Sequence, residues 1–245
     1  MKEIALVADL HGNLPATLAV EKDIRSRGIE RIWCLGDVVG KGPSSAETFD
    51  WAEKNCEFIL QGNWDEGIGN RRFPADEFYY RQLGERRMQA LRDFPLEYTC
   101  VISGRKTRLF HGRPAMPLPY YVHEDYELLA PYFAPDYNVV GYADVHRQGV
   151  RLLGFKGILF NTGSVGNGLG LGAAMAQYAI VRGETESEAP APLDVTMVTV
   201  PYDGAQAVRD AEEAGKRGLR NWDLFIKEIT TGVYARFQGA PRSPL

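Results

Sequence analysis

Glu3-Ile4-Ala5-Leu6-Val7-Ala8-Asp9-Leu10-His11-Gly12-Asn13-Leu14-Pro15 opens the chain with a pattern that points to its architecture. An apolar run of strand length stops at an acid and a histidine. Proline in a first turn then opens a helical pattern over 15–27, which Gly28 closes. The alternation repeats, with a strand at 31–35, a helix at 45–54 and a strand at 57–60. A βαβαβ pattern with short loops predicts a parallel sheet with helices packed on it.

Further along, 76–92 reads as an Arg- and Glu-rich helix with Phe78, Leu83, Met88 and Leu91 on one face. Residues 98–102 and 107–110 flank Ser103-Gly104-Arg105-Lys106 as a hairpin. A short helix over 124–133 follows a proline-rich loop. Beyond Asn138 the chain is rich in strands, at 139–142, 150–153, 158–160, 178–181 and 195–200. An acidic, proline-containing turn at 184–192 interrupts them, and helices at 204–214 and 222–231 come last. Parallel βα units followed by antiparallel strands predict two facing sheets with helices outside. The expected class is α/β, a four-layer αββα sandwich of two mixed sheets flanked by helices, formed as one domain over 1–245.

Composition narrows the function classes. The chain has 245 residues, 44% hydrophobic and 24% charged, so disorder is excluded as the main state. Apolar runs such as 4–8 fall far short of the roughly 20 residues that span a bilayer. Lys2 and Glu3 lead into a strand rather than a leader-type apolar segment, so the expected location is the cytoplasm, with no membrane partner. Three cysteines without metal-type spacing argue against a disulfide scaffold or a zinc knuckle. With 28 basic against 32 acidic residues, general nucleic-acid binding is not expected.

Polar residues gather where the early strands end. The first ends in Asp9-Leu10-His11, the second in Gly36-Asp37-Val38-Val39-Gly40, and the third in Gly62-Asn63-Trp64-Asp65. Functional groups of open α/β sheets lie just outside the carboxyl ends of parallel strands, so these loops deliver Asp, His and Asn to one rim. Asp and Asn also favour turns, which explains any single loop but not all of them together. Of the 4 histidines, His11, His111 and His146 sit at strand ends, whereas His123 lies in a loop before a charged helix and reads as an ordinary polar residue. Imidazole, carboxylate and amide oxygen form a borderline-hard set suited to Mn, Fe, Zn or Ni.

In these blocks the sequence resembles the calcineurin-like metallophosphoesterases, especially their small bacterial and archaeal members. The family signature runs Asp-x-His, Gly-Asp-x-x-Gly, Gly-Asn-x-Asp/Glu, a Gly-flanked His, and Gly-His-x-His. The first three blocks match as quoted, Phe110-His111-Gly112-Arg113-Pro114 matches the fourth, and Asn161-Thr162-Gly163-Ser164-Val165-Gly166 looks like the family's closing turn. The likeness spans about 3–202.

Two positions depart from the pattern. In Gly141-Tyr142-Ala143-Asp144-Val145-His146 the His-x-His pair falls on Tyr142 and Asp144 or on Asp144 and His146. The second alignment is preferred because it keeps a histidine. Asp144 then replaces a histidine with a carboxylate, hardening that position towards Mn or Mg. Trp64 stands where many members carry the histidine that protonates the leaving group, and indole has no such proton to give.

The resemblance implies two divalent metal ions, manganese first, with iron, zinc, nickel or magnesium as alternatives. One would be held by Asp9, His11, Asp37 and His146, the other by Asp37, Asn63, His111 and Asp144. It implies a phosphodiester hydrolase in which a hydroxide bridging the ions attacks phosphorus in line, with Asp37, Asn63 and His111 catalytic. Asn63 and Arg113 would bind the phosphate of a small phosphoester, nucleotide-like substrates included. A phosphomonoesterase or nucleotidase with the same site is one alternative. A metal-poor binding or regulatory protein, raised by Asp144 and Trp64, is another.

Among the remaining motifs, the glycine-rich 166–172 lacks the Lys-Ser/Thr of a phosphate loop and reads as a flexible connection. Ser164 does not sit in a nucleophile elbow. The arginines of 71–92 alternate with acids as a solvated helix face does. Tyr120, Tyr121 and Tyr126 read as packing residues, with stacking on a substrate base as the alternative.

Overall fold

The computed structural model describes residues 2–72, 77–117, 119–154, 157–185 and 187–235. Strands β1 (Lys2–Val7), β2 (Arg31–Cys34) and β3 (Phe58–Ile59) alternate with helices α1 (Leu14–Ser26) and α2 (Ser45–Asn55). Helices α3 (Asn63–Gly69) and α4 (Glu77–Asp93) precede the hairpin of β4 (Glu97–Ile102) and β5 (Arg105–Phe110). Helix α5 (Tyr126–Leu129) is followed by β6 (Val139–Tyr142), β7 (Gly149–Leu153), β8 (Gly157–Asn161), β9 (Met175–Gly183) and β10 (Asp194–Pro201). The closing helices are α6 (Gly204–Lys216) and α7 (Trp222–Thr231).

Two five-stranded mixed sheets result, in the orders β10-β9-β1-β2-β3 and β4-β5-β6-β8-β7. In the first, β1, β2 and β3 run parallel, with β9 and β10 antiparallel beside them. In the second, β5, β6 and β8 run parallel between antiparallel edges β4 and β7. The expected αββα arrangement of two mixed sheets with flanking helices is therefore the observed one.

Strand β1 shows how sequence builds these layers. Alternate side chains point to opposite faces of a strand. Ile4, Leu6 and Ala8 join Trp33, Leu109 and Phe160 in one core cluster, while Ala5 and Val7 join Val20, Ile24 and Phe49 in another. A strand covered on both faces has no polar alternation, which is why 4–8 reads as an uninterrupted apolar run.

Several boundaries differ from the sequence expectation for local reasons. The hairpin turn is only Ser103-Gly104, both with positive φ (52° and 72°), so both strands run closer to the tip. The helix expected at 124–133 breaks after Leu129 into a 3₁₀ turn, Ala130–Phe133, because Pro131 has no N–H to continue it. Helix α3 was not anticipated: Asn63 begins a helix directly, and Asp65 in its first turn accepts the Gly62 N–H at 3.1 Å. Asp76, expected at the start of the arginine-rich helix, and Glu186 of the acidic turn lie outside the described residues. That helix is solvated as expected, with Arg86 and Arg87 paired to Asp50 and Glu53.

The connection at 166–172 is not a free linker at its start. Gly166 N–H donates to Asp9 O at 2.8 Å, and a Cβ at Gly166 would lie 1.9 Å from Leu10 O. Its Leu169 N–H donates to His146 O at 2.9 Å. Glycine is required at 166 for this close backbone approach, not for flexibility.

Candidate metal centre

The carboxyl ends of β1, β2 and β3 meet those of β5 and β6 at one rim, bringing Asp9, His11, Asp37, His111 and His146 together. All are buried. Asp9 Oδ1 lies 3.1 Å from His146 Nε2, 3.5 Å from His11 Nε2 and 3.8 Å from His111 Nε2. Asp37 Oδ2 lies 3.6 Å from His11 Nε2 and 3.4 Å from His111 Nε2. Two compact triads emerge, Asp9–His11–His146 and Asp9–Asp37–His111.

The imidazoles are aimed by their outer nitrogens. His111 Nδ1 lies 2.7 Å from Leu35 O, His11 Nδ1 3.2 Å from Val39 O, and His146 Nδ1 2.9 Å from Asn167 O. A carbonyl only accepts, so each Nδ1 carries the proton and donates, and each Nε2 faces the carboxylates. The His111 bond also ties the two sheets together, since Leu35 follows β2 and His111 follows β5.

Backbone strain is concentrated here. Asp9, His11, Asp37, Lys41, Asp144 and His146 are six of the ten non-glycine residues with positive φ among those described. Left-handed conformations of this kind cost of order 1–3 kcal/mol and persist where surrounding structure over-determines them, characteristically at functional sites.

Electrostatics follows the convergence. Burial pushes Asp9 and Asp37 up, but the facing imidazoles more than offset it and hold both carboxyls below the usual range. Burial pushes His111 down, yet the Asp37 and Asp9 charges prevail and hold it well above its ordinary value. His11 is lowered, by burial first and then by the Lys41 charge. Asp65 is pushed up to about 8 by burial and by the neighbouring Asp37.

Several polar atoms here lack protein partners. Both Asp9 oxygens, Asn63 Oδ1 and His111 Nε2 are buried without a hydrogen bond. His11 Nε2 and His146 Nε2 face each other at 3.2 Å although both rings already donate through Nδ1. Buried polar groups ordinarily find partners. These donors, all lone pairs of imidazole, carboxylate and amide, fit divalent cations of the Mn, Fe or Zn type.

The other expected residues divide. Asn63 is the first residue of α3, and the next N–H, of Trp64, donates to Asp37 Oδ1 at 2.8 Å. That contact leaves Asp37 Oδ2 for the histidines. Asp144 belongs to neither triad, and Arg113 occupies both its oxygens: N and Nε donate to Oδ2 at 2.8 and 2.9 Å, and Nη2 to Oδ1 at 2.6 Å. Of the two alignments, the structure brings His146 into the cluster and packs Tyr142 in the core against Phe110 and Tyr132. Trp64 meets His11 edge-on at 5.8 Å. His123 stacks on Tyr121, and Tyr120 packs beside Tyr142. Sequence reasoning missed Asp65 and Asn167 as supports. Asp65 closes the quoted block Gly62-Asn63-Trp64-Asp65 and that position was the available signal, whereas nothing local marks Asn167.

Comparison with known proteins agrees with this geometry. The model of the calcineurin-like phosphoesterase superfamily domain matches residues 1–186. The chain belongs to that superfamily. The family is one of phosphoesterases, enzymes that hydrolyse phosphoric esters. A curated relative of this chain, protein MJ0912 of Methanocaldococcus jannaschii, is 31% identical over 152 residues, covering 58% of this chain and 59% of the relative. The match thus spans about three-fifths of that relative's length. Two solved structures share the fold, each at a TM-score of 0.73: a metallophosphoesterase from Sphaerobacter thermophilus and protein PH1004 from Pyrococcus horikoshii OT3. The first is 23% identical and covers 95% of this chain and 99% of its own. The second is 20% identical and covers 96% and 100%. Among the described residues no helix is long and apolar enough to cross a membrane.

Proposed function

We propose that this phosphoesterase hydrolyses a small phosphodiester in the cytoplasm, nucleotide-like substrates included, at a site for two divalent ions with manganese as the first choice. The observation that carries the reading is the pair of triads sharing Asp9, with inward Nε2 atoms and orphaned carboxylate and amide oxygens. Asp9, His11 and His146 would hold one ion, and His111 and Asn63 the other. Asp37, whose Oδ2 lies between His11 and His111, is within reach of both. When bound, such a pair supplies Lewis acidity to the phosphoryl oxygens and lowers the pKa of the attacking water.

The chain's own residues orient the ester. Arg113 keeps its Nη1 without a hydrogen bond among the described residues, on a side chain 49% exposed, and that edge can bind a non-bridging phosphate oxygen. Asp144 holds the guanidinium in place and neutralises it. In this reading Asp144 is therefore a clamp on Arg113 and not a replacement metal ligand. A neutralised arginine suits the single negative charge of a diester better than a dianionic monoester. Trp64 cannot protonate a departing alkoxide, so the substrate must carry a good leaving group.

The test pairs elemental analysis of the purified protein with hydrolysis of aryl phosphodiesters and monoesters, with and without Mn²⁺. About two ions per chain, with Mn²⁺-stimulated turnover favouring the diester, is the expected result. One ion or none, without turnover on either ester, overturns the reading. Monoester preference with two ions overturns the substrate class alone.

A further inference from the structure

Helix α7 lies beyond the 1–186 stretch matched by the family model, yet it reaches the metal centre. Its buried residues are Phe225, Glu228 and Ile229, and Glu228 is only 1% exposed. Glu228 Oε1 accepts the Ala235 N–H at 2.8 Å. Its Oε2 accepts Asn167 Nδ2 at 2.5 Å and lies 3.6 Å from Lys41 Nζ. Asn167 in turn accepts from His146 Nδ1, at 2.9 Å on its carbonyl and 3.3 Å on Oδ1. A continuous chain of contacts therefore runs from Glu228 through Asn167 to the imidazole facing Asp9.

The direction of these bonds has a chemical consequence. An amide can present either its oxygen or its NH₂ to a neighbour. Glu228 Oε2 accepts the Asn167 NH₂, which leaves Oδ1 for His146. Both Asn167 acceptors then meet His146 Nδ1, the backbone carbonyl that keeps the proton there and Oδ1 that holds the angle of the ring, leaving the lone pair on Nε2. A buried carboxylate with one looser ion pair is a poor source of stability, and an apolar side chain would cover α7 as well. Outer partners that fix a ligating histidine's tautomer typically carry about 10–100-fold in metal affinity.

We propose that Glu228 is a positioning residue for His146, coupling the C-terminal helix to one half of the metal centre through Asn167. The proposal rests on the two-ion reading above. Lys41, on the loop that follows Asp37, lies 3.6 Å from Glu228 as its buried ion-pair partner.

The test uses the full chain and the isosteric variant Glu228→Gln, titrated with Mn²⁺ by calorimetry beside His146→Ala. The binding event lost in His146→Ala should be weakened about 10–100-fold in Glu228→Gln, with the other event unchanged within about twofold. A merely structural role would shift both events together, following a fall in Tm, and would overturn the proposal. A second readout is the imidazole ¹⁵N spectrum of the metal-free proteins. His146 should keep its Nδ1–H form in both proteins, with its ¹⁵N resonances shifted and broadened in Glu228→Gln as the bonds to Asn167 loosen. Unchanged His146 resonances overturn the proposal. Should the parent bind no Mn²⁺, the two-ion reading fails by itself, and the ¹⁵N spectra decide the role of Glu228.

Discussion

The Asp65 carboxylate holds the turn that carries Asp37. Its Oδ2 accepts the Asp37 N–H at 2.7 Å, and its Oδ1 accepts the Val38 N–H at 3.0 Å. With Gly62 N–H also bound at 3.1 Å, one side chain joins the loops after β2 and β3. Asp37 sits there at φ 53°, so the turn is strained and depends on this support.

Asp65→Ala leaves these buried N–H groups without acceptors, at about 1–3 kcal/mol each. A stability loss of at least about 3 kcal/mol is expected in urea denaturation, with weaker metal binding. Asp65→Asn, which keeps one acceptor oxygen, should fall between. A change below about 1 kcal/mol in the alanine variant would contradict the assigned support.

Asp37→Ala should abolish metal-dependent turnover while the domain stays folded by circular dichroism. His123→Ala should leave turnover unchanged, because His123 is exposed and stacks on Tyr121, away from the buried cluster. Retained activity in the first, or a large loss in the second, would show the site misassigned.

Trp64→His restores a titratable ring beside His11. General acids contribute about 10²–10⁴-fold in favourable geometry. Turnover of an alkyl ester should rise about tenfold or more relative to a nitrophenyl ester, measured as the ratio of kcat/KM values. An unchanged ratio would place the leaving group elsewhere.

Asp23 supports the fold away from the site. Tyr178 Oη donates to its carboxylate at 2.7 Å and Arg27 Nε at 2.8 Å. Burial raises its pKa, but these partners prevail and hold it below the usual carboxylate range. A depressed folded pKa contributes stability above the unfolded value and loses it as pH falls through the folded one. Asp23→Asn should therefore cost about 1–2 kcal/mol near neutral pH. The gap to the parent should narrow below pH 3.8 in acid titrations of stability. A gap that stays constant down to pH 2 would assign the effect to packing alone.

The rim residues were legible because each lies where an apolar run ends, and strand ends are local features. A hairpin about Ser103-Gly104-Arg105-Lys106 and a helix from Pro15 were legible from turn and helix-start residues, which are also local, although the observed turn is shorter and the helix starts at Leu14. Helix α3 escaped notice because it is short and follows β3 after only three residues, 60–62. The 166–172 segment was misread because glycine signals close approach and flexibility alike, and only the neighbouring Leu10 carbonyl distinguishes them.

Sequence alone determined the α/β class, the βα alternation and the residues delivered to one rim, since these follow from hydrophobic run length, turn chemistry and strand direction. Tertiary structure decided how those residues combine. That His146 rather than Tyr142 faces Asp9, that Arg113 claims Asp144, and that Glu228 reaches His146 through Asn167 all depend on contacts between segments far apart in the chain. Side-chain pairing across two sheets is a property of packing, and no local pattern encodes it.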